Sequence, residues 1–393
     1  MAEAKLSVAE ATIVTAGQRP NPTVGIGPVY TASAAPAFAP WAFGAAELNF
    51  PIETAGKRGH RIAQAERLAD AAAFVVGETA WHVRSAVRTA LLNHLLAQRE
   101  YDLARAYASA SERTAQLIQE RVSAGAASAP ELNLVLANLA AARLKAAQAR
   151  SRAPETLNVL AGVLGVPVEA FQEMTLAWPE LEHPPDEASV TPARVQQLAL
   201  LNRIDLHRLL AEYAAADEAL KIEIARQYLD INLAGGYSWE VGENLFQLLP
   251  IITLPLMNQN QGPIAEASAR RAQAAAEFTA LQQSVIAQAN AALTRYRGSL
   301  DAFAQASSSA AFSEERLAAI QRAADLGEID ALATATAQLE TVVAEQSKLT
   351  ALGSAQTALG ALEDAVESPL KDGDLKSFSF LPPVRNPVGE QTS

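Results

Sequence analysis

The sequence predicts an α+β fold in which one unit, two β-strands followed by a long helical hairpin, occurs twice. Three observations support this prediction: an internal repeat, two long stretches without proline, and short segments that alternate apolar with small or polar residues. Half of the 393 residues are hydrophobic, but only 6% are aromatic. Much of the apolar share is alanine, which favours helices and lets them pack closely, so the composition agrees with long helices.

The internal repeat relates the first half of the chain to the second. Residues 19–26 align with 226–233, residues 49–52 align with 253–256, and Gly125 aligns with Gly327. The offset between aligned positions falls only from 207 to 202 residues along the chain. Such a constant offset indicates a duplicated unit. We therefore predict a first repeat over 1–170, a linker over 171–191, a second repeat over 192–370 that opens with a helix at about 192–227, and a flexible C-terminal tail over 371–393.

Two stretches without proline predict very long helices. Residues 52–129 and 264–368 lack proline and are rich in helix-forming residues. A helix over residues 56–122 would be roughly 100 Å long at about 1.5 Å per residue. Each long helix meets a glycine, Gly125 or Gly327, and returns through a partner helix. We predict hairpins over about 56–165 and 263–368. On the helices alone, a soluble coiled-coil scaffold is an alternative.

Alternating segments predict two pairs of strands. In residues 229–240 the odd positions are apolar apart from one glycine, whereas the even positions are small or polar. This period of two is typical of a strand with one apolar face. Residues 245–256 form the predicted partner. The first repeat has equivalents at about 22–31 and 41–52, joined by an alanine- and proline-rich loop.

The predicted strands are too few to be self-sufficient. No nearby segment is bulky enough to cover their apolar face, so exposure to lipid is favoured over a half-buried soluble sheet. Lipid satisfies no backbone hydrogen bonds, so strands that cross it must close into a barrel of at least about eight strands. Four strands cannot close, and we expect the chain to supply its strands to an oligomer.

Several classes of function are excluded by what the sequence lacks. The net charge is −12, which argues against nucleic acid as a partner, because phosphate binding requires a basic surface. The chain has no cysteine, and its five histidines are scattered. No serine, histidine and acid pattern is recognisable either. We therefore predict no enzyme activity, no cofactor and no metal site.

Four motifs carry a resemblance to a known family. They are QRPNP at residues 18–22, FPIETAGKRG at 50–59, NRIDL at 202–206 and LPLMNQNQGPI at 254–264. Their order and spacing, over residues 2–368, resemble the TolC-type outer-membrane efflux proteins. The resemblance is to the branch of that family that accompanies cobalt–zinc–cadmium exporters.

The resemblance implies an architecture and a function. It implies a homotrimer with a twelve-stranded β-barrel among the lipids of the bacterial outer membrane and an α-helical barrel reaching into the periplasm, with residues 171–191 in its waist. It implies passive conduction of cargo, with a periplasmic adaptor (membrane fusion) protein and an inner-membrane RND-type pump as partners. Heavy-metal cations are the expected cargo, and drugs or other organic compounds are the alternative.

Two sets of residues at the hairpin turns are candidate sites. Asp325, Glu328 and Asp330 surround the second turn, where the family's tunnel narrows, and three chains would bring their carboxylates together as an aperture that favours cations. Acids near helix ends are also ordinary capping residues. The resemblance further implies an adaptor-docking surface that comprises Arg121, Gly125, Ser128, Arg322, Gly327 and Ala331. The glycines are equally compatible with simply closing tight turns.

The repeat alignment also makes a prediction about the N-terminus. The counterpart of the helix that opens the second repeat falls before Met1 at an offset of 207 residues. We expect the first repeat to lack its opening residues and to have been preceded by a signal peptide.

Overall fold

The computed structural model describes residues 1–30, 41–171, 174–186, 190–240 and 243–370. The predicted loop at 31–40 and the predicted tail at 371–393 lie outside the described residues. Seven α-helices and four strands are described, together with a 3₁₀ turn at Val168–Phe171. In chain order they are α1 (Ala2–Gly17), β1 (Thr23–Tyr30), β2 (Trp41–Ile52), α2 (Lys57–Ser123), α3 (Ala129–Leu164), α4 (Pro192–Asn202), α5 (Ile204–Ala225), β3 (Ile231–Glu240), β4 (Glu243–Ile252), α6 (Gln261–Asp325) and α7 (Ala331–Val366).

The chain divides into two compact units. The first comprises Met1–Glu78 and Ile204–Gln282, and therefore holds all four strands, α1 and α5. Of the described residues, the second comprises Thr79–Arg203 and 283–370, and holds α3, α4 and α7. Helices α2 and α6 begin in the first unit and end in the second. They have 67 and 65 residues, so each is roughly 100 Å long at about 1.5 Å per residue.

The first unit contains one antiparallel sheet with the strand order β1-β2-β3-β4. Strand β2 pairs with β3 from Ala45↔Ser238 to Ile52↔Ile231, so the two repeats meet in the middle of the sheet. Strands β1 and β4 form its two edges. All four connections between a strand and a helix lie at the same end of the strands, because neighbouring strands are antiparallel.

The second repeat differs from the sequence prediction at its opening helix. The helix expected over 192–227 is two helices, because Arg203 between them has an extended backbone (φ −61°, ψ 114°). The side chain of Arg203 donates to the Ala365 carbonyl oxygen at 3.4 Å. This contact ties the break between α4 and α5 to the end of α7. The prediction of one continuous helix was therefore wrong.

The strand predicted at 245–256 also differs in its bounds. Strand β4 ends at Ile252, opposite Ile231, where the paired length of β3 runs out. Pro255, which has no N–H to donate, lies beyond this end. The repeat alignment paired Pro255 with Pro51, but Pro51 lies within β2. The two prolines therefore occupy different settings.

The core of the second unit forms around the last part of α7. Eleven of the fifteen residues from 352 to 366 are buried, among them Gln356 and Glu363. The described part of the predicted linker packs here: Leu181 lies in an apolar cluster with Leu92, Leu95 and Leu352. Gln356 Nε2 also donates to the Leu181 carbonyl oxygen at 2.7 Å. The linker is thus held by buried contacts.

Candidate functional site

The sheet has two faces of different chemistry. Residues that pair across strands point to the same side, so the register assigns each side chain to a face. We call one the apolar face; it includes Val24, Ile26, Leu48, Phe50, Ile52, Ile231, Leu233, Tyr237, Trp239, Phe246, Leu248 and Ile252. It is exposed across all four strands, with Phe246 82% and Ile26 75% exposed. The apolar face therefore has no cover within the described chain.

The opposite side, which we call the mixed face, is small or polar on three strands. On β1, β2 and β3 it carries Thr23, Gly25, Glu47, Asn49, Asn232, Ala234, Gly236 and Ser238. On β4 it carries Leu245, Gln247, Leu249 and Ile251. An apolar face opposite a polar face is typical of strands that separate lipid from water.

Aromatic residues gather at one end of the apolar face. Tyr237, Trp239 and Phe246 lie near the end of the sheet opposite the helix connections. The Tyr237 and Phe246 rings are 5.3 Å apart, and the Tyr237 hydroxyl donates to Asn244 Oδ1 at 2.8 Å. Such rings are enriched where a membrane meets water, because they combine an apolar body with a polar tip.

A charged network joins the two repeats where the strands become helices. Lys57, which is only 6% exposed, binds Asp230 at 2.8 Å and donates to the Tyr228 carbonyl oxygen at 2.9 Å. Burial alone would raise the pKa of Asp230, but hydrogen bonds from Lys57 and the Thr54 N–H lower it overall. These contacts fix the bend between β2 and α2, where Gly56 adopts φ +71°.

Glu53 completes this network. Arg61 donates to both Glu53 carboxylate oxygens, at 2.5 and 2.8 Å, and these hydrogen bonds lower the pKa of Glu53. Arg58 donates to the Gly17 carbonyl oxygen at 2.6 Å, which ties the end of α1 to the start of α2. The basic residues of the FPIETAGKRG motif thus bind the protein itself at the bend.

The two hairpin turns have the same backbone design. The N–H groups of Gly125 and Ala126 donate to the carbonyl oxygens of Val122 and Arg121. The second turn repeats this pattern at an offset of 202 residues, from Gly327 and Glu328 to Ala324 and Ala323. Gly125 and Gly327 have φ of +73° and +77°. This is the Schellman arrangement, in which a left-handed glycine ends a helix.

The helices that follow the turns begin with equivalent caps. The Ser128 hydroxyl accepts from the Glu131 N–H, and the Asp330 carboxylate accepts from the Ala333 N–H at 2.8 Å. The hydrogen bond from Ala333 lowers the pKa of Asp330, and the positive charge of Arg121 adds to this effect. Asp330 also accepts a hydrogen bond from Arg121. Asp330 is therefore both a helix cap and one half of an ion pair that links the two turns.

The other predicted site residues lie around the same turns. Arg322 is in the last turn of α6, where its Nε donates to the Ala318 carbonyl oxygen at 3.2 Å. Ala331 is the first residue of α7, and Asp325 is the last residue of α6. Asp325 and Glu328 are exposed, and neither forms an ion pair with another described residue. The structure thus brings Arg121 and Asp330 together and leaves the other two acids facing solvent in the single chain.

A buried charged cluster in the second unit was missed by the sequence analysis. The Glu363 carboxylate lies 3.4 Å from both Arg84 and Arg88, and its side chain is only 10% exposed. Burial lowers the pKa of Arg88, and the negative charge of Glu363 opposes this effect. Arg88 also lies 5.1 Å from the Trp178 ring of the linker. Arg84 and Arg88 are four residues apart on α2, a spacing that puts both on one helix face and could have indicated the cluster.

Next to this pair, Asp364 binds two further residues of α2. Its carboxylate accepts from Trp81 Nε1 at 3.0 Å and from the Ser85 hydroxyl at 2.7 Å. The end of α7 is thus attached to α2 through polar side chains that satisfy one another, as buried polar groups require.

The described residues contain neither a membrane-spanning helix nor a metal-binding cluster. None of their helices contains a stretch that is long and apolar enough to cross a membrane. Within the same ranges, no three His, Asp or Glu side chains are arranged to hold a metal ion.

Comparison with known proteins relates the chain to one family. The family model described as outer membrane efflux protein matches residues 1–166. The cobalt-zinc-cadmium resistance protein CzcC of Cupriavidus metallidurans is 27% identical over 238 residues, which are 60% of this chain and 55% of the relative. The matched stretch therefore spans little more than half the length of that relative.

Solved structures share the fold at low identity. CusC, whose structures concern folding and transmembrane channel formation, has a TM-score of 0.72 at 17% identity and covers 93% of this chain and 88% of its own. The outer membrane protein VceC of Vibrio cholerae has a TM-score of 0.70 at 15% identity, over 94% and 93%. The MtrE outer membrane channel of Neisseria gonorrhoeae has 0.69 at 16%, over 94% and 86%. The family match, the curated relative and the shared fold confirm the predicted resemblance of this chain to the outer membrane efflux proteins.

Proposed function

We propose that this chain is the outer-membrane channel of a tripartite efflux system, a passive duct from an inner-membrane pump to the exterior. The observation that carries the proposal is the four-stranded sheet, whose apolar face is exposed on every strand. A face of this kind is stable against lipid and unfavourable against water. The family match and the outer membrane proteins of the same fold support a location in the outer membrane with a part in the periplasm.

The proposed assembly is a homotrimer. Strands β1 and β4 are sheet edges, and the backbone groups at an edge cannot stay unpaired in lipid. Four strands are fewer than the roughly eight of the smallest membrane barrels, whereas three copies would supply twelve. The long helices of three copies would form the periplasmic barrel.

Heavy-metal cations are the proposed cargo. The support is the curated relative, which is a cobalt-zinc-cadmium resistance protein. Drugs or other organic compounds are the alternative cargo, since the pump of such a system selects the cargo and the duct only conducts it. The proposed partners are an RND-type pump in the inner membrane and a periplasmic adaptor protein.

The proposed contacts with the adaptor lie at the hairpin turns. Each turn closes on a glycine with positive φ, which leaves a backbone surface without side chains for a partner to approach. The proposed docking surface comprises Arg121, Gly125, Ser128, Arg322, Gly327 and Ala331.

The proposed aperture consists of Asp325, Glu328 and Asp330 from three chains. Asp325 and Glu328 are exposed and charged, so they can face a passage. The pair between Arg121 and Asp330 would hold the two turns of one chain together at this level.

The function is tested by deleting the gene and restoring it on a plasmid. We expect the deletion to lower tolerance to cobalt, zinc and cadmium, and the restored strain to recover it. The protein should fractionate with the outer membrane and run as a heat-sensitive oligomer on gels. Loss of tolerance to dyes and detergents alone would favour organic cargo, and a monomer that needs no detergent would support the scaffold instead.

The aperture is tested by single-channel recording in planar bilayers. Asp330→Ser keeps a capping hydroxyl, as Ser128 provides in the first turn, but removes the ion pair with Arg121. Asp325→Asn with Glu328→Gln removes two charges without touching a cap. We expect both variants to raise conductance or weaken block by divalent cations. Unchanged conductance and block in both would contradict the aperture.

A further inference from the structure

Strand β4 differs from the other strands because it carries large aliphatic residues on both faces. On the mixed face the described side chains of the other strands are small or polar. On the same face β4 carries Leu245, Leu249 and Ile251, with Gln247 between the two leucines. We call these three residues the aliphatic row. They pair with Ser238, Ala234 and Asn232 of β3, so the row lies directly beside the small and polar residues of β3.

The aliphatic row is uncovered in the single chain. Leu245, Leu249 and Ile251 are each between 43% and 47% exposed. No described strand pairs with β4 on its far side, since β4 is an edge of the sheet. Leu249 and Ile251 are neighbours on this face, and Leu245 lies beyond Gln247. Exposed aliphatic residues at the rim of a polar surface are typical of an interface.

The other edge of the same sheet has the complementary shape. From residue 23 to residue 27, the mixed face of β1 carries Thr23, Gly25 and Gly27, so the threonine supplies its one side chain there. Neither edge places a charged residue among these positions. Large aliphatic residues on one edge and glycines on the other can interdigitate without leaving a void.

The strand directions permit the two edges to meet. The four strands are antiparallel throughout, so β1 and β4 run in opposite directions. In a ring of copies related by rotation, β4 of one copy then meets β1 of the next as an antiparallel pair. An even number of strands per chain is what makes this possible.

We propose that the aliphatic row of β4 packs over the glycine-lined mixed face of β1 in a second copy and seals the seam between copies. This inference rests on the proposed oligomeric channel and assigns the side chains that hold its seam. It also explains why β4 carries large aliphatic residues on the mixed face: its row is buried by the next copy.

The test exchanges large and small residues across the seam. The first variant, Leu249→Ala with Ile251→Ala, shortens the row, and the second, Gly25→Leu, fills its proposed receiving surface. A Cβ at Gly25 would lie 3.8 Å from Glu47 Cβ, an ordinary contact, so the single chain has room for a side chain to begin at this position. The third variant combines all three substitutions. The measurement is the temperature at which the purified oligomer dissociates in detergent.

We expect the first two variants to dissociate at lower temperature than the unaltered chain, and the combined variant to recover part of the loss. Leu248→Ala with Ile252→Ala is the matched control, because it removes one leucine and one isoleucine side chain from the apolar face of the same strand. It should leave the dissociation temperature nearly unchanged. Helix content by circular dichroism checks that each variant folds.

Two outcomes would overturn the proposal in different ways. If the shortened row dissociates like the unaltered chain and changes only the passage of apolar compounds, the row faces the passage and the seam assignment is wrong. If the unaltered chain forms no oligomer in any detergent, the seam and the proposed channel fail together. The unaltered chain therefore distinguishes failure of the inference from failure of the function.

Discussion

The sheet and the end of α7 differ in how far their side chains are buried within one chain. Around the end of α7, residues 352–366, the apolar side chains pack against the linker of the same chain. The carboxylates of Glu363 and Asp364 are bound by side chains of α2. In the sheet, Ala234 is the single described strand residue in the buried class, and large apolar residues cover one whole face. The comparison teaches that one chain buries the end of α7, whereas it leaves the apolar face of the sheet exposed.

The largest expected effect comes from removing the buried carboxylate at the end of α7. Glu363→Ala leaves Arg88 desolvated and without its anion, and breaking a buried pair in this way costs about 3–5 kcal/mol. The control is Glu340→Ala on the same helix, whose pair with Arg316 is exposed and worth about 0–1 kcal/mol. Thermal unfolding in detergent measures both. Equal losses in the two variants would show that burial does not set the stability of this region.

The next effect tests the sheet with two neighbouring residues of β4. Leu248→Arg places a charge on the apolar face, which costs up to about 2–4 kcal/mol in lipid. Gln247→Arg places the same charge on the mixed face, at a position that is already polar, and should cost less than Leu248→Arg. Urea unfolding in lipid vesicles compares them. If both variants were equally stable, the assignment of the apolar face to lipid would be wrong.

A smaller effect concerns Gly360, which lies against the guanidinium of Arg88. A Cβ at Gly360 would lie 2.2 Å from Arg88 Nη1, so Gly360→Ala must displace the guanidinium. Overpacking of this kind costs about 1–3 kcal/mol. Gly298→Ala is the control: its Cβ would meet nothing within 4 Å, so it should be neutral or stabilising, since alanine favours helices. The midpoint of thermal unfolding should therefore fall for Gly360→Ala and stay level or rise for Gly298→Ala. Equal losses in the two variants would contradict the packing argument.

The smallest effect is a pH dependence at the bend between strands and helices. The pKa values of Glu53 and Asp230 are lowered below their ordinary values of 4.5 and 3.8, so their contribution to stability is present above those values. It is lost as pH falls below about 4 toward the lowered values. Glu53→Gln should flatten the acid limb of the unfolding midpoint measured against pH. An unchanged limb would contradict the role of this ion pair.

Local patterns predicted most of the elements because their causes are local. Residues 52–129 lack proline and are rich in alanine, and they contain the 67 residues of α2. The glycine turns at Gly125 and Gly327 were predicted from the repeat, since a left-handed residue that ends a helix is almost always glycine. The break at Arg203 was missed, and the residue it contacts there, Ala365, is far along the chain.

The candidate sites show the same division. The acids of the second turn were visible in the sequence, but the cap formed by Asp330 and its pair with Arg121 were not, because the pair spans 209 residues. Likewise the aliphatic residues of β4 were read as part of an alternating strand. Only the register with β3 shows that these residues lie on the mixed face.

The sequence by itself determined the duplicated unit, the helix lengths, the apolar face and the resemblance to outer membrane efflux proteins, because periodicity, glycine and proline act over a few residues. Only the tertiary structure decided which residues lie opposite one another: the register between β2 and β3, the buried pairing of Glu363 with two arginines, and the link between the two turns. The reason is physical. Those contacts join residues more than 150 positions apart, and no local preference of the chain specifies which of many compatible partners is chosen.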